Sequence, residues 1–180
     1  MNYCSTCGQK VTPRIPEGDS RFRFVCTGCG MVHYENPKLV VGCIPVREGR
    51  ILLCRRAIEP RHGLWTFPSG FMENGESVEA GAMREAREEA NADVTIIRLL
   101  AVYSIPQVNQ VYMSFLAALN NADVAPGKES LEVRLFDPGD IPWDAIAFRA
   151  VHFALDFFIA HSDSSGQQVA VGTHPGDATV

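Results

Sequence analysis

The chain has 180 residues, a hydrophobic fraction of 46% and a formal net charge of −5 at pH 7. This length suits one catalytic domain with a small appendage, and the acidic balance argues against a molecule built to bind nucleic acid or anionic lipid. No apolar run approaches the roughly 20 residues that span a bilayer. The first ten residues are polar and contain two cysteines, unlike a signal peptide, so we expect a cytoplasmic protein in a reducing environment.

Four of the six cysteines form two Cys-x-x-Cys pairs near the N-terminus, Cys4 with Cys7 and Cys26 with Cys29. Eighteen residues separate the pairs, and a glycine follows each pair directly, where a tight metal-binding knuckle needs backbone freedom. Zinc prefers four thiolates in a tetrahedron, and such a site has no open position for water. The sequence therefore predicts a structural zinc ribbon over 1–34. Two disulfides or a redox dithiol are the alternatives.

The segment from Met1 to His33 carries a net charge of only +2, from four Lys or Arg against two Asp or Glu. This balance is too small to predict nucleic-acid binding, so we expect the ribbon to pack on the main domain or on a partner subunit. The other two cysteines, Cys43 and Cys54, lie in apolar stretches and are predicted to be small buried side chains.

From Lys38 the sequence changes to a pattern of strands and helices, which predicts an α/β layered domain over 35–161. Two apolar runs joined by a Glu-Gly turn predict a β-hairpin, and a short aromatic segment follows before Pro68. The predicted strands are Lys38–Val46, Arg50–Arg55, Thr95–Tyr103, Val111–Leu119 and Leu131–Phe136, and the predicted helices are Ser77–Ala90 and Ala147–His161. The last residues, 162–180, are predicted to be a weakly structured tail.

Three glutamates on the first predicted helix stand at positions i, i+3 and i+4, so the carboxylates of Glu85, Glu88 and Glu89 crowd one face. Like charges at this spacing disfavour a helix unless a cation binds between them. Mg²⁺ prefers oxygen ligands and commonly joins carboxylates to the phosphates of a substrate. The alternative is a solvated face on which Arg84 pairs with Glu88.

The segment that contains this helix resembles the Nudix box, whose spacing is Gly-x5-Glu-x7-Arg-Glu-U-x-Glu-Glu-x-Gly-U with U aliphatic. The matching residues are Gly70, Glu76, Arg84, Glu85, Ala86, Glu88, Glu89 and Ala92. The chain departs from the pattern at Asn91, where the family usually has glycine. That glycine ends the helix in a left-handed conformation, which asparagine tolerates next best.

The resemblance implies a Nudix α/β/α sandwich with a mixed sheet, preceded by the zinc ribbon. It also implies a reaction in which water attacks the phosphorus of a diphosphate bound to Mg²⁺ or Mn²⁺. The metal ligands that it implies are Glu85, Glu88 and Glu89, with a contribution from the Gly70 carbonyl.

Two further box residues, Glu76 and Arg84, are implied to hold the loop and the helix together. The general base varies among Nudix proteins, and the candidates are Glu85, Glu129 and Glu132. The last of these precedes a predicted strand and could equally pair with Arg134.

The resemblance extends beyond the box, because the ribbon is followed by Asn-Pro-Lys-Leu-Val-Val-Gly and Gly-Leu-Trp-Thr-Phe-Pro, as in ribbon-bearing enzymes related to NADH pyrophosphatases. Those enzymes typically show Ser-Gln-Pro-Trp-Pro-Phe-Pro after the box, whereas this chain has Ser-Ile-Pro-Gln-Val-Asn-Gln-Val-Tyr over Ser104–Tyr112. The chain is more similar to plant plastid FAD and ADP-ribose pyrophosphatases over roughly Tyr3 to Phe158. ADP-ribose or FAD is therefore the expected substrate, and AMP an expected product.

Candidates for stacking on an adenine or flavin ring are Trp65, Phe67, Tyr103 and Tyr112, although core packing explains each of them as well. His33 and His62 have no evident partner and receive no role. The expected partner is a small nucleotide, with no nucleic acid and no membrane. A homodimer is compatible with the apolar Ala147–His161 helix, by analogy with relatives.

Two other functions are weighed against this one. An NADH or NAD-capped RNA pyrophosphatase would use the ribbon to bind nucleic acid, and the missing Ser-Gln-Pro-Trp stretch argues against it. A Nudix-fold regulator would bind a nucleotide sugar without cleaving it. Such a protein would be expected to lose box carboxylates, and this chain retains them all.

Overall fold

The computed structural model describes residues 1–120, 122–161 and 168–176, and the chain divides into two units, Met1–Pro37 and Lys38–Val180. The smaller unit is a three-stranded antiparallel sheet in the order β1-β2-β3. Its strands are β1 (Val11–Arg14), β2 (Arg23–Cys26) and β3 (Val32–His33). Cys4 and Cys7 lie in the segment before β1, whereas Cys26 ends β2 and Cys29 lies in the loop between β2 and β3.

The larger unit is built on one mixed sheet with two helices. Its strands are β4 (Lys38–Arg47), β5 (Arg50–Arg56), β6 (Trp65–Thr66), β7 (Ser69–Phe71), β8 (Val94–Ile105), β9 (Gln110–Leu119), β10 (Ser130–Phe136) and β11 (Ala170–Thr173). The helices are α1 (Val78–Ala90) and α2 (Arg149–Ala160). The main strand order is β10-β5-β4-β9-β8-β11, with β6 paired to β5 and β7 paired to β4. β4 runs parallel to β9 and β11 parallel to β8, which confirms the predicted mixed sheet.

The first two strands of this sheet form the hairpin that the sequence predicts, with Val46 opposite Ile51. The strands are apolar along most of their length because both faces of the sheet are covered. Neighbouring residues therefore face opposite cores: Leu52 packs in the core that includes α1, whereas Leu53 packs in the core that includes α2. The buried positions predicted for Cys43 and Cys54 are also confirmed.

Helix α1 begins and ends as its sequence indicates. The Ser77 hydroxyl accepts a hydrogen bond from the Ala80 N–H at 3.2 Å and caps the first turn. Three alanines at helical spacing are fully buried against the sheet, which brings the helix close to its neighbours. The helix ends at Asn91, whose φ of 48° is left-handed, and the prediction for this cap is confirmed.

The predicted tail is wrong for Ala170–Thr173, which forms β11 and extends the sheet beside β8. A strand at this edge satisfies backbone groups that β8 would otherwise leave unpaired. Gly172 lies against the rings of Tyr103 and Phe153, where a Cβ atom would approach both side chains too closely. The tail residues 162–167 and 177–180 lie outside the described residues.

Helix α2 covers the other face of the sheet and is shorter than the predicted Ala147–His161. Its buried stripe is Ala150, Val151, Ala154 and Leu155, as the apolar spacing indicates. Within the described part of the chain, no helix has both the length and the apolar character needed to cross a membrane.

Candidate active site and metal centres

The larger unit contains a cleft of about 1650 Å³. Helix α1 contributes its acidic face to one wall, and the strand β7 contributes Ser69 and Gly70. The loop before β10 contributes Glu129, while the first turn of α2 contributes Phe148 and Arg149. The cleft thus combines an acidic face with basic and aromatic groups, which is the combination needed to hold a metal-bound nucleotide.

Arg84 joins the loop before α1 to the helix itself. Its Nε and Nη2 donate to the two oxygens of Glu76 at 3.0 and 2.9 Å, and Nη2 also donates to the Phe71 carbonyl at 3.2 Å. The Glu73 N–H donates to the same Glu76 carboxylate at 2.7 Å. The Arg84 guanidinium and this N–H lower the pKa of Glu76 to about 2. The loop and the helix are therefore fixed to each other by a fork-to-fork ion pair.

The three glutamates on the acidic face differ in environment. Glu85 and Glu89 are only 8% and 6% exposed, whereas Glu88 is exposed. Arg84 Nη1 donates to Glu85 at 2.7 Å and to Glu88 at 3.0 Å, so the ion pair considered as an alternative exists within the acidic cluster.

Burial raises the pKa of Glu89 to about 8, and the charges of Glu85 and Glu129 add to this effect. The Ser69 N–H, which donates to Glu89 at 3.2 Å, opposes it. Burial also raises the pKa of Glu85. Neighbouring buried carboxylates are costly when all are ionised, and a divalent cation offsets that cost, so this donor set fits Mg²⁺ or Mn²⁺.

Gly70 lies on β7 directly against the end of Glu85. A Cβ atom at this position would require the Glu85 carboxylate to shift, so glycine allows that carboxylate to lie directly against the β7 backbone. Pairing of Gly70 with Val41 on β4 fixes the backbone beside the acidic face.

In the smaller unit, the sulfur atoms of the four N-terminal cysteines all lie within 4.8 Å of one another. The Cys4–Cys29 and Cys7–Cys26 sulfurs are 3.8 and 3.4 Å apart, well beyond the roughly 2.05 Å of a disulfide bond. Backbone N–H groups point at the sulfurs, such as those of Thr6 at Cys4 and of Gly28 at Cys26, both at 3.4 Å. This is the geometry of paired knuckles around one zinc ion, and it argues against the two-disulfide alternative.

Sequence reasoning missed one side chain at this centre. His33 Nε2 lies 3.3 Å from the Cys4 sulfur, although the sequence assigned His33 no role. The position of His33 on β3, which pairs with β2, brings the ring to the cysteines, and that pairing was not evident from the spacing of the residues.

Comparison with known proteins decides the family. A family model described as NUDIX domain matches residues 36–155, and another described as Nudix N-terminal matches residues 2–35. The chain belongs to the Nudix family. A crystal structure of a Nudix hydrolase from Nitrosomonas europaea is 50% identical in sequence, with a TM-score of 0.93 over 97% of this chain and 99% of that one.

Two curated relatives of this Nudix protein have different names. The NAD-capped RNA hydrolase NudC of Chromobacterium violaceum is 31% identical over 157 residues, or 83% of this chain and 58% of that protein. The ADP-ribose pyrophosphatase of Methanocaldococcus jannaschii is 30% identical over 113 residues, or 61% of this chain and 67% of that protein. The chain spans about half the length of most curated relatives it matches.

The three candidate general bases of the Nudix site differ in whether they line the cleft. Glu85 and Glu129 line the cleft. Glu132 does not line it and lies on β10, where it approaches Arg55 at 3.9 Å. The structure therefore does not bring Glu132 to the cleft with the other candidate bases, and the basic residue near it is Arg55, where the sequence suggested Arg134. Glu132 lies on β10, the strand at one edge of the sheet. The sequence alone did not show where this strand lies relative to the cleft.

The aromatic candidates for stacking on the substrate also differ in whether they line the cleft. Tyr112 lines the cleft, whereas Phe67 and Tyr103 do not. Phe67 is buried in the core that includes α2, and Tyr103 packs against Phe153 with ring centroids 5.0 Å apart. The structure therefore does not bring Phe67 and Tyr103 to the cleft, since Phe67 lies in the core directly after β6 and Tyr103 on β8 packs against Phe153 of α2. Trp65 is also a core residue, packed edge-on against Phe136.

Arg56 is a cleft residue that sequence reasoning missed. It is 9% exposed, its Nε donates to the Pro60 carbonyl at 2.9 Å, and its guanidinium lies 5.0 Å from the centre of the Phe148 ring. The signal available in the sequence is a second consecutive arginine after the apolar run Ile51–Cys54, where a buried charge requires a partner.

Proposed function

We propose that this Nudix protein is a divalent-cation-dependent pyrophosphohydrolase that cleaves a nucleoside diphosphate derivative to AMP and a second phosphate ester. The observation that carries this proposal is the placement of Glu85, Glu88 and Glu89 on one wall of a cleft that also contains basic and aromatic groups. A regulator without catalytic function would not require this complete acidic set beside a tightly fitted Gly70.

The same three glutamates are the proposed ligands of Mg²⁺ or Mn²⁺, with the Gly70 carbonyl beside them. A divalent metal in such a site neutralises charge on the diphosphate and lowers the pKa of a bound water. Arg84 keeps the helix and the loop in register through Glu76, so the carboxylates hold fixed positions when substrate binds. Glu129 lines the cleft from the loop before β10, and the Gly127 N–H of that loop donates to the Glu89 carbonyl at 2.9 Å at the end of α1. Glu129 is our proposed group for taking the proton of the attacking water.

ADP-ribose or FAD is the proposed substrate. The chain lacks the Ser-Gln-Pro-Trp-Pro-Phe-Pro stretch of NADH pyrophosphatases, and an ADP-ribose pyrophosphatase is among its relatives. Arg56 and Arg149 line the cleft and supply positive charge for a diphosphate beyond the acidic face.

Hydrolysis of NADH or of an NAD cap on RNA is the second candidate function. The similarity to the NAD-capped RNA hydrolase of Chromobacterium violaceum favours it. The net charge of −5 and the weak charge of the ribbon segment oppose a role in holding RNA.

Product analysis on purified protein with Mg²⁺ distinguishes these candidates. ADP-ribose, FAD, NADH and an NAD-capped RNA are incubated separately, and AMP or the 5′-monophosphate RNA is quantified by chromatography. We expect AMP from ADP-ribose or FAD at a rate at least tenfold above that from NADH, and no product after EDTA treatment. Cleavage of NADH or capped RNA alone would replace our substrate proposal by the second candidate, and cleavage of none would contradict the pyrophosphohydrolase proposal.

A further inference from the structure

The C-terminal strand β11 delivers a buried histidine to the wall of the cleft. His174 follows this strand directly, is 3% exposed and lines the cleft. Its backbone N–H donates to the Ser104 carbonyl at 2.8 Å, and the Gln107 side chain donates to the His174 carbonyl at 3.4 Å. These two hydrogen bonds therefore fix the backbone of His174 beside the end of β8.

The two ring nitrogens of His174 have different surroundings. Nδ1 lies 2.6 Å from the Pro175 carbonyl, and since a carbonyl only accepts, Nδ1 carries the hydrogen. In the tautomer that has its single hydrogen on Nδ1, Nε2 is a hydrogen-bond acceptor. Nε2 is buried, and no donor reaches it from the residues that the structure describes. A buried acceptor without a donor is destabilising, so it calls for an external partner.

The neighbours of His174 in the cleft indicate what that partner is. The strand places His174 two residues after Gly172, on the face of the sheet that Tyr103 shares, and Ile105 and Tyr112 line the cleft at the same end of the sheet. Phe148 and Arg149 of the first turn of α2 line this cleft as well. Ile105, Tyr112 and Phe148 give this part of the cleft lining an apolar and aromatic character beside the charge of Arg149, and such side chains suit a base or a sugar better than a phosphate.

We propose that His174 is a specificity-determining residue that accepts a hydrogen bond from an N–H or O–H group on the nucleoside part of the substrate. This inference rests on the proposed function and adds a residue from outside the Nudix box. Two sources offer such a donor, the exocyclic amine of adenine and a ribose hydroxyl.

Binding measurements separate this inference from the proposed function. The probe is α,β-methylene ADP-ribose, titrated calorimetrically into wild type, His174→Phe, His174→Gln and Val171→Ser. Val171 is on the same strand and is 77% exposed, so it controls for changes to β11. We expect His174→Phe to raise Kd about tenfold, which is the loss of one hydrogen bond to a buried acceptor, with an unchanged or higher Tm. His174→Gln, which keeps an acceptor, should lose less affinity.

Kinetics with ADP-ribose and its hypoxanthine analogue identify the donor. If His174 accepts from the adenine amine, wild type prefers ADP-ribose and His174→Phe loses that preference through KM, with kcat nearly unchanged. If it accepts from a ribose hydroxyl, the variant raises KM equally for both compounds. Equal Kd for wild type and His174→Phe, or a lower Tm that accounts for the weaker binding of both variants, would overturn the inference. Wild-type binding without cleavage would instead overturn the proposed function and leave the binding result to decide about His174.

Discussion

Arg84 makes five hydrogen bonds with four residues, and they connect the loop, the helix and two of the proposed metal ligands. This is possible because a guanidinium has a planar fork of donors, whereas a lysine ammonium is a single point of charge. A positive charge alone at this position is therefore not enough to hold the loop and the helix together, and the guanidinium group of arginine is needed.

Arg84→Lys should lower kcat for ADP-ribose by about tenfold or more, because lysine retains the charge but cannot hold Glu76, Glu85 and the Phe71 carbonyl together. Steady-state kinetics on the purified variant measure this effect. Arg50→Lys, at the start of β5 and outside the cleft lining, is the control and should retain wild-type kcat. Wild-type kcat in Arg84→Lys would show that the fork geometry is unnecessary.

Glu76 makes stability depend on acid pH. Its pKa is about 2 in the folded chain and near 4.5 in the unfolded chain, so ionised Glu76 stabilises the fold above about pH 4.5. That contribution is lost as pH falls through the window from about 4.5 to 2. Urea unfolding at pH 7, 5 and 3.5 should therefore show a smaller acid-induced loss in Glu76→Gln than in wild type. Identical pH profiles for the two proteins would contradict the assigned ion pair.

The end of α1 shows how an element tolerates a departure from its family motif. Asn91 adopts φ 48°, and its side chain donates to the Ala125 carbonyl at 3.0 Å. Asn91→Ala should lower the free energy of unfolding by about 1 kcal/mol relative to Asn91→Gly, since only the alanine carries a Cβ penalty in the left-handed region. Both variants lose the side-chain bond, so urea unfolding of the pair isolates the backbone effect. Equal stability of the two variants would count against this account of the cap.

Helices and strands with a long periodic pattern of apolar residues could be predicted from the sequence. A short strand without such a pattern could not. The α1 helix follows from its alanines and glutamates, and the β4–β5 hairpin from two apolar runs around a turn. β11 has only four residues in a polar, Gly-rich segment, so its pairing with β8 depends on a tertiary contact that no local pattern encodes.

The same limit applies to the site. The acidic face was predictable because its spacing is local, and Gly70 because the motif includes it. The placement of Tyr103 and Glu132 was not, since alternation along a strand tells which residues share a face but not which face meets the cleft. Phe67 lies directly after the two-residue strand β6, so no alternation pattern places it. Arg56 and His174 come from distant parts of the chain, and only the folded molecule places both on the lining of one cleft.

At the scale of the whole molecule, two metals with different roles are expected. Purified protein should contain about one zinc per chain, because four cysteine sulfurs lie within 4.8 Å and fit a closed tetrahedral site. Cys29→Ser should lose most of this zinc, while Cys54→Ala, which changes a cysteine buried in the larger unit, should retain it. Zinc released on thiol modification, measured with a chromogenic chelator, gives the stoichiometry. A zinc content near zero in the wild type would contradict the proposed centre.

The measurement that tests the central claim most directly is AMP release from ADP-ribose and FAD by wild type, Glu88→Gln/Glu89→Gln and Glu79→Gln, each with Mg²⁺. Glu79 lies on the exposed first turn of α1 and does not line the cleft, so its variant changes the helix charge without touching the acidic face. We predict that the double variant loses at least about a hundredfold in kcat while Glu79→Gln retains wild-type activity. Equal activity in all three proteins, or equal loss in both variants, would contradict the assignment of the acidic face as the catalytic metal site.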